Sequence, residues 1–262
     1  MSALSTAWGI VVRDLIRSTR QRSRLLSGLA RPFVWVFLVG AGFNSIARLE
    51  AGISYQAYAY PGGVVMAALF GGMLTAISTV YDREFGMLRL MLASPSGVGA
   101  VLCGRTLSAA IIGAAQGAIV LACAPLAVYL SAEQYAAAGA ALVLTALTSA
   151  TLGLLVAARL TSVENFGGVI NVVLFPLLFV SGALYPTRGM PALLRGLARV
   201  NPVTYMVDLM RHAFGQAAEF PLATDVAALI GAAVVAFGLT ALLFDPEQRF
   251  VGRKRGGEGV SA

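Results

Sequence analysis

Hydrophobic residues along this chain fall into six long runs separated by short polar links, and most of the runs approach the length of a helix that crosses a bilayer. The runs cover about 29–46, 61–81, 98–130, 135–160, 166–185 and 223–244. Pro32 sits near the start of the first, where a missing amide donor is harmless. The second carries Gly63, Ala67 and Gly71 at four-residue spacing, and the third carries Gly113 and Gly117 as GxxxG. Small residues at that spacing let helices approach closely. The third run exceeds what a bilayer needs, so it is expected to tilt or to project. Asn171 and Pro176 interrupt the fifth, and the polar residue reads either as a functional group or as an interhelical hydrogen bond.

Three segments break this pattern. Over residues 4–20, Leu4, Trp8, Val11, Val12 and Leu15 line one helical face, and Arg13, Arg17, Arg20 and Arg24 gather on the other. This predicts an interfacial amphipathic helix. Residues 81–95, YDREFGMLRLMLASP, form a charged helical segment between runs two and three. Asp82 can cap its start, Glu84 suits the first turn, and Phe85, Leu88 and Leu92 make an apolar stripe. About three turns cannot cross a bilayer, and an apolar stripe facing water calls for a protein partner. Between 186 and 221 the pattern changes to two short amphipathic helices, 191–200 and 203–215, broken at Asn201 and Pro202. Such a pair lies at the interface or dips in and returns, provided its broken backbone is covered by protein.

The expected fold class is therefore an all-α membrane protein of six transmembrane helices in one unit. Residues 1–28 form the interfacial helix, 29–244 the core and 245–262 a Gly-rich basic tail that reads as disordered. Composition agrees, since the 262 residues are 58% hydrophobic and 12% charged, with a mean hydropathy of +0.80. The first thirty residues lack the apolar core and cleavage site of a secretory signal, so the N-terminus is expected to be retained.

The net charge of +7 would suggest nucleic acid in a soluble protein. Here the arginines flank apolar runs, as orientation by positive charge requires, and no nucleic-acid partner is expected. Six of the nineteen Arg and Lys residues lie up to Arg31, three between 81 and 105, one at Arg159 and four in the tail. That makes fourteen on the side of the termini against five, Arg48, Arg188, Arg195, Arg199 and Arg211, on the other. Both termini and the 81–95 segment are expected in the cytoplasm, and the broken helix pair outside.

Enzyme chemistry finds little support. A phosphate loop needs GxxxxGK[ST], and Lys254, the only lysine, is followed by Arg255. Metal chemistry is not expected either, with His212 the only histidine and neither Cys103 nor Cys123 near a ligand partner. About twenty helical residues, roughly 30 Å, separate the two cysteines, which excludes a disulfide. An intramembrane serine protease would pair Ser181 with His212, but Phe179 stands where that motif needs glycine.

Four stretches carry a family resemblance: RQRSRLL at 20–26, YDREFGMLRLMLASP at 81–95, ENFGGVINVVLFPLLFVSGALYP at 164–186 and NPVTYMVDLMR at 201–211. Together they resemble the membrane permease of a type-2 ATP-binding cassette exporter, the group of drug, polysaccharide and nodulation-factor export permeases. The resemblance implies a half-transporter of a bacterial-type cytoplasmic membrane. It pairs with a second permease copy, as a homodimer, and with two copies of a separate cytoplasmic ATPase that uses ATP and magnesium. This chain itself would hold no cofactor. The resemblance makes the segment between spans two and three a coupling helix, here Asp82, Arg83, Glu84, Phe85, Gly86, Leu88 and Arg89. A smaller second contact falls on Thr161, Glu164 and Asn165. An external gate falls on Asn201, Pro202, Tyr205, Asp208 and Arg211, although Asp208 and Arg211 are also spaced to form an ion pair on one helix face. The competing reading is a non-transporting membrane scaffold or intramembrane enzyme that docks a cytoplasmic partner through the same segment.

Overall fold

A computed structural model describes residues 3–44, 54–87, 97–160 and 162–243. Leu88, Arg89, Leu92, Thr161 and the tail therefore lie outside the described residues. Helices α1 (Ala3–Arg20), α2 (Arg22–Phe33) and α3 (Gly40–Asn44) come first, then α4 (Tyr55–Glu84), α5 (Gly97–Ala122), α6 (Ala132–Arg159) and α7 (Val163–Val180). The short helices α8 (Ala192–Val200) and α9 (Pro202–Ala213) precede α10 (Leu222–Leu243). Among the described residues, five helices are long and apolar enough to cross a membrane: α4, the stretch Gly97–Leu126 that includes α5, α6, α7 and α10. Gly28–Asn44, shorter but apolar, supplies the first of the six expected spans. All elements among the described residues are helical, as the pattern predicted.

Helix α4 is the hub. Of its most apolar stretch 83% is buried inside the protein, against 18% for α7 and 22% for α10. Val64, Val65, Leu69 and Phe70 are fully enclosed. Small residues make this possible, because a side-chain carbon added at Gly113 would sit 2.7 Å from the Ala68 carbonyl oxygen, and one at Gly71 would sit 2.8 Å from Gly113 Cα. At Gly153 the added carbon would lie 2.8 Å from Met73 Cα. The small-residue stripes of the second and third spans thus pack α4 against its own neighbours α5 and α6. They are not a face held in reserve for a second copy.

Element ends depart from expectation for local reasons. Helix α4 starts at Tyr55, six residues before Pro61, because the Ser54 hydroxyl accepts a hydrogen bond from the Ala57 amide at 3.1 Å and caps it. Pro61 cannot donate to the Ala57 carbonyl four residues back, and the Gln216 side-chain amide does so instead at 2.8 Å. Pro32 lies inside α2, and residues Val34–Val39 follow it as a π-helical segment. The missing donor accounts for that slip in register. The third span ends at Ala122, where a 3₁₀ turn at Ala124–Leu126 contains Pro125, so it does not run to residue 130. The fifth stops at Val180 because Gly182 takes φ +84°, a left-handed backbone that breaks the helix. Asn171 is exposed, and its side chain donates to the Gly167 carbonyl of its own helix at 2.9 Å, so within this chain it makes no bond to another helix among the described residues.

Gly113→Ala is expected to lower the melting temperature in detergent by an amount matching about 1–3 kcal/mol, the range for overpacking a filled core. Gly139→Ala, where an added carbon meets nothing within 4 Å, is the control and should be neutral.

Candidate functional site

The end of the bundle that carries α1 holds a buried charge cluster built from three helices. Arg105 of α5, with a side chain only 1% exposed, donates to Asp14 of α1 at 3.0 Å and to Asp82 in the last turn of α4. Its Nη1 also reaches the Ser78 hydroxyl at 3.0 Å, and the Ser108 hydroxyl donates to Asp14 at 3.1 Å. Two arginines of α1 close the outer side. Arg13 contacts Asp14 at 3.1 Å and Asp82 at 2.7 Å, while Arg17 reaches Asp82 at 3.6 Å and lies over the Tyr81 ring at 5.5 Å. Burial disfavours the Arg13 charge, but the hydrogen bond it donates to Asp82 and the fields of Asp14 and Asp82 outweigh it and raise its pKa above the ordinary arginine value.

Asp82 therefore does not cap the start of a new helix. It belongs to the last turn of α4, and its carboxylate is consumed inside the protein. The next two residues work on neighbouring helix ends. Arg83 donates to the carbonyls of Ala157 and Ala158 at 3.0 Å and of Leu160 at 2.8 Å, acceptors in the last turn of α6 that the helix leaves short of donors. Glu84 accepts from the Val163 amide at 3.1 Å, at the start of α7, where Ser162 makes no side-chain cap. A cation thus meets the negative end of α6 and an anion the positive end of α7. Helix α4 then ends, with Phe85 at its C-cap and Gly86 left-handed at φ +76°. Phe85 stacks on Tyr81 at 6.1 Å yet stays 72% exposed.

The tertiary structure in this way joins the two expected coupling regions, residues 82–86 and the turn before α7. Glu164 and Asn165 border an open groove of about 500 Å³ that runs along α7 past Gly168, Val169 and Val172. The sequence reading missed Asp14 and Arg105. Each had a signal, an acid inside a basic amphipathic helix and an arginine within an apolar run, and each is costly in an apolar setting unless paired. The face of α1 also needs correction. Leu4, Trp8, Val12 and Ile16 are exposed together as its apolar face, whereas Val11 turns inward with Ile10 and Asp14.

At the opposite end the five residues expected at a gate lie on α9 or cap it, and four of them, all but Pro202, brace the chain. Asn201 accepts from the Val203 amide at 3.0 Å and donates to the Leu177 carbonyl at 2.7 Å, so it joins the start of α9 to the end of α7. Pro202 occupies the first turn of α9, where no donor is required. Tyr205 bonds the Arg199 carbonyl at 2.5 Å and lies against Phe220. Asp208 and Arg211 do not form the expected ion pair. Asp208 accepts from the Glu219 amide at 2.8 Å and the Phe220 amide at 2.7 Å. Arg211 donates to the Gly182 carbonyl at 2.6 Å and lies 4.3 Å over the Tyr58 ring. Backbone groups freed by the turns at 182 and 219–220 take up both charges. Ser181 binds the Leu178 carbonyl and the Ala183 amide, with His212 directed at Phe220, so the two form no nucleophile–base pair.

Residues 6–214, which hold α1 to α9 and both ends just described, match the family described as ABC-2 type transporter. The chain belongs to the ABC-2 type transporter family. Nodulation protein J of Rhizobium leguminosarum bv. trifolii is 30% identical over 189 residues, covering 71% of this chain and 72% of that protein. The putative transport permease ycf38 of Cyanophora paradoxa is 28% identical over 215 residues, 78% of this chain and 72% of its own. Inner membrane transport permease YadH of Escherichia coli K12 is 25% identical over 189 residues, 72% and 73% of the two chains. This ABC-2 chain is thus an integral membrane protein and a transport permease.

Arg105→Leu removes the inner cation of Asp14 and Asp82 and leaves only Arg13 and Arg17, on the outer side, to face them. Breaking a buried pair in this way costs about 3–5 kcal/mol. The expected result is a large drop in melting temperature in detergent, partly reversed by adding Asp14→Asn. No recovery in the double variant would mean that the arginine acts through packing alone.

Proposed function

We propose that this ABC-2 permease is the membrane half of an ATP-driven exporter, coupled at its α1 end to a separate cytoplasmic ATPase. The observation that carries the reading is the convergence on the last turn of α4. Asp82, Arg83 and Glu84 tie that turn to α1, α5, α6 and α7. A push on the segment that follows Gly86 reaches four helices through charge-assisted bonds, as a coupling element requires. The positive-charge bias puts this end, with both termini, in the cytoplasm of an inner-membrane type bilayer. Exposed Phe85 supplies an apolar anchor for the ATPase.

The pathway lies on an outer face of the chain, between two copies, because the interior around α4 is filled with side chains. Helix α7 is the face we assign to the second copy. It is the least buried of the long helices, and Asn171 presents an amide there that pure lipid would leave half satisfied. The broken pair α8 and α9 closes the external end. A transported substrate of amphiphilic or apolar character suits the apolar residues of that face, among them Val172 and Phe175.

Three measurements test this. Phe85→Ala is expected to insert and to pair normally but to bind the ATPase about 30-fold more weakly, since an interface anchor is worth about 2 kcal/mol. The protein should change the ATP turnover of its co-purified partner, and a partner without nucleotide binding would sink the reading in favour of a scaffold. Glu84→Arg is a poor probe, because it also removes the cap of α7. In a background lacking Cys103 and Cys123, Val172→Cys should cross-link two copies in native membranes. Only monomers under oxidation would remove α7 from the interface.

A further inference from the structure

At the end away from α1, Asp208, His212 and Asp225 bring one ligand atom each to within 4.8 Å of one another. They come from two helices, α9 and the first turn of α10. Asp225 is fully buried, and neither of its carboxylate oxygens has a hydrogen-bond partner. Asp208 is buried beside it, held in place by the Glu219 and Phe220 amides. Two enclosed carboxylates side by side call for a cation. The α10 N-terminus contributes a partial positive charge, too little to replace water around both. Arg211 does not serve, because its guanidinium is turned to Tyr58 and Gly182.

We propose that these residues bind a divalent transition-metal ion of the zinc class through His212 Nε2 and the carboxylates of Asp225 and Asp208. His212 Nε2 lies 3.4 Å from Asp225 Oδ2. Ligand atoms at the corners of a tetrahedron of about 2.0–2.1 Å bonds stand roughly 3.3 Å apart, so this separation fits with little movement. The Phe220 carbonyl oxygen, 2.9 Å from the same nitrogen, accepts its proton when no metal is bound and is placed to act as a further oxygen ligand. Metal at Nε2 leaves the imidazole neutral, with its single proton on Nδ1. The imidazole is partly exposed, which leaves an approach from solvent. A metal there would lock α9 to α10 and hold closed the end that the pair α8 and α9 covers. The sequence reading discounted metal because it saw a solitary histidine, and Asp225 is thirteen residues further on, beyond a turn.

The test uses the full chain, purified in detergent through a tag without histidine, treated with chelator and dialysed against zinc chloride. After desalting, elemental analysis should find one zinc per chain, and zinc should raise the melting temperature. His212→Gln and Asp225→Asn should each weaken zinc binding by at least about tenfold while eluting as the parent does. His212→Gln keeps a donor for the Phe220 carbonyl, and this guards against loss through misfolding. Absence of zinc from the parent chain, equal retention by His212→Gln, or a more stable Asp225→Asn with no zinc dependence would each overturn the proposal. The last result would mean that Asp225 is simply protonated.

Discussion

A guanidinium set between two carboxylates, all three out of water, decides how one end of this bundle is arranged. Arg105 cannot sit in the apolar interior alone, and neither Asp14 nor Asp82 can. Their mutual attraction therefore dictates that α1 folds back onto α4 and α5 when it might otherwise lie free on the bilayer surface. Arg13 and Arg17 leave the cluster with a net positive charge toward the outside. An N-terminal helix held this way moves with the bundle.

Satisfaction of backbone groups extends the same logic along the rest of α4. Its last turn uses Arg83 and Glu84 to complete the ends of α6 and α7, which in water would be completed by solvent. Near its start, Pro61 frees a carbonyl that Gln216 recovers. At the far end, the turn at Gly182 frees its carbonyl, to which both Tyr58 and Arg211 donate, and Asn201 does the same for Leu177. Each of these freed groups is thus matched by a side chain from another part of the sequence. These matches give the polar residues expected at a gate a bracing role in the fold.

Between the two ends, packing sets what can move. Helices α4, α5 and α6 approach so closely at Gly71, Gly113 and Gly153 that no side chain can be added. Such a core has few alternative arrangements. Helix α7 buries little surface within the chain, whereas α10, though also largely exposed, packs along α6 with Leu229, Ala233 and Ala236 turned inward. Rearrangement that keeps the core intact therefore falls on α7 and the broken pair attached to it through Asn201.

How much of this was legible in advance follows from the range of each force. Bilayer length and the absence of water act on consecutive residues, so the spans, the N-terminal amphipathic helix and the break at Asn201 and Pro202 could be read from local pattern. The ABC-2 family was legible for the same reason, since its motifs are contiguous stretches. Pairing of buried charges acts across sequence distance and was not legible. Asp14 and Arg105 are 91 residues apart, and Glu84 and Val163 are 79 apart. Helical periodicity placed Asp208 and Arg211 on one face, but the turns at 182 and 219–220 offered each a better partner. Asp82 looked like a helix start because it precedes an amphipathic stretch. Only the folded chain, in which α4 runs on through it to Glu84, assigns its carboxylate to Arg105.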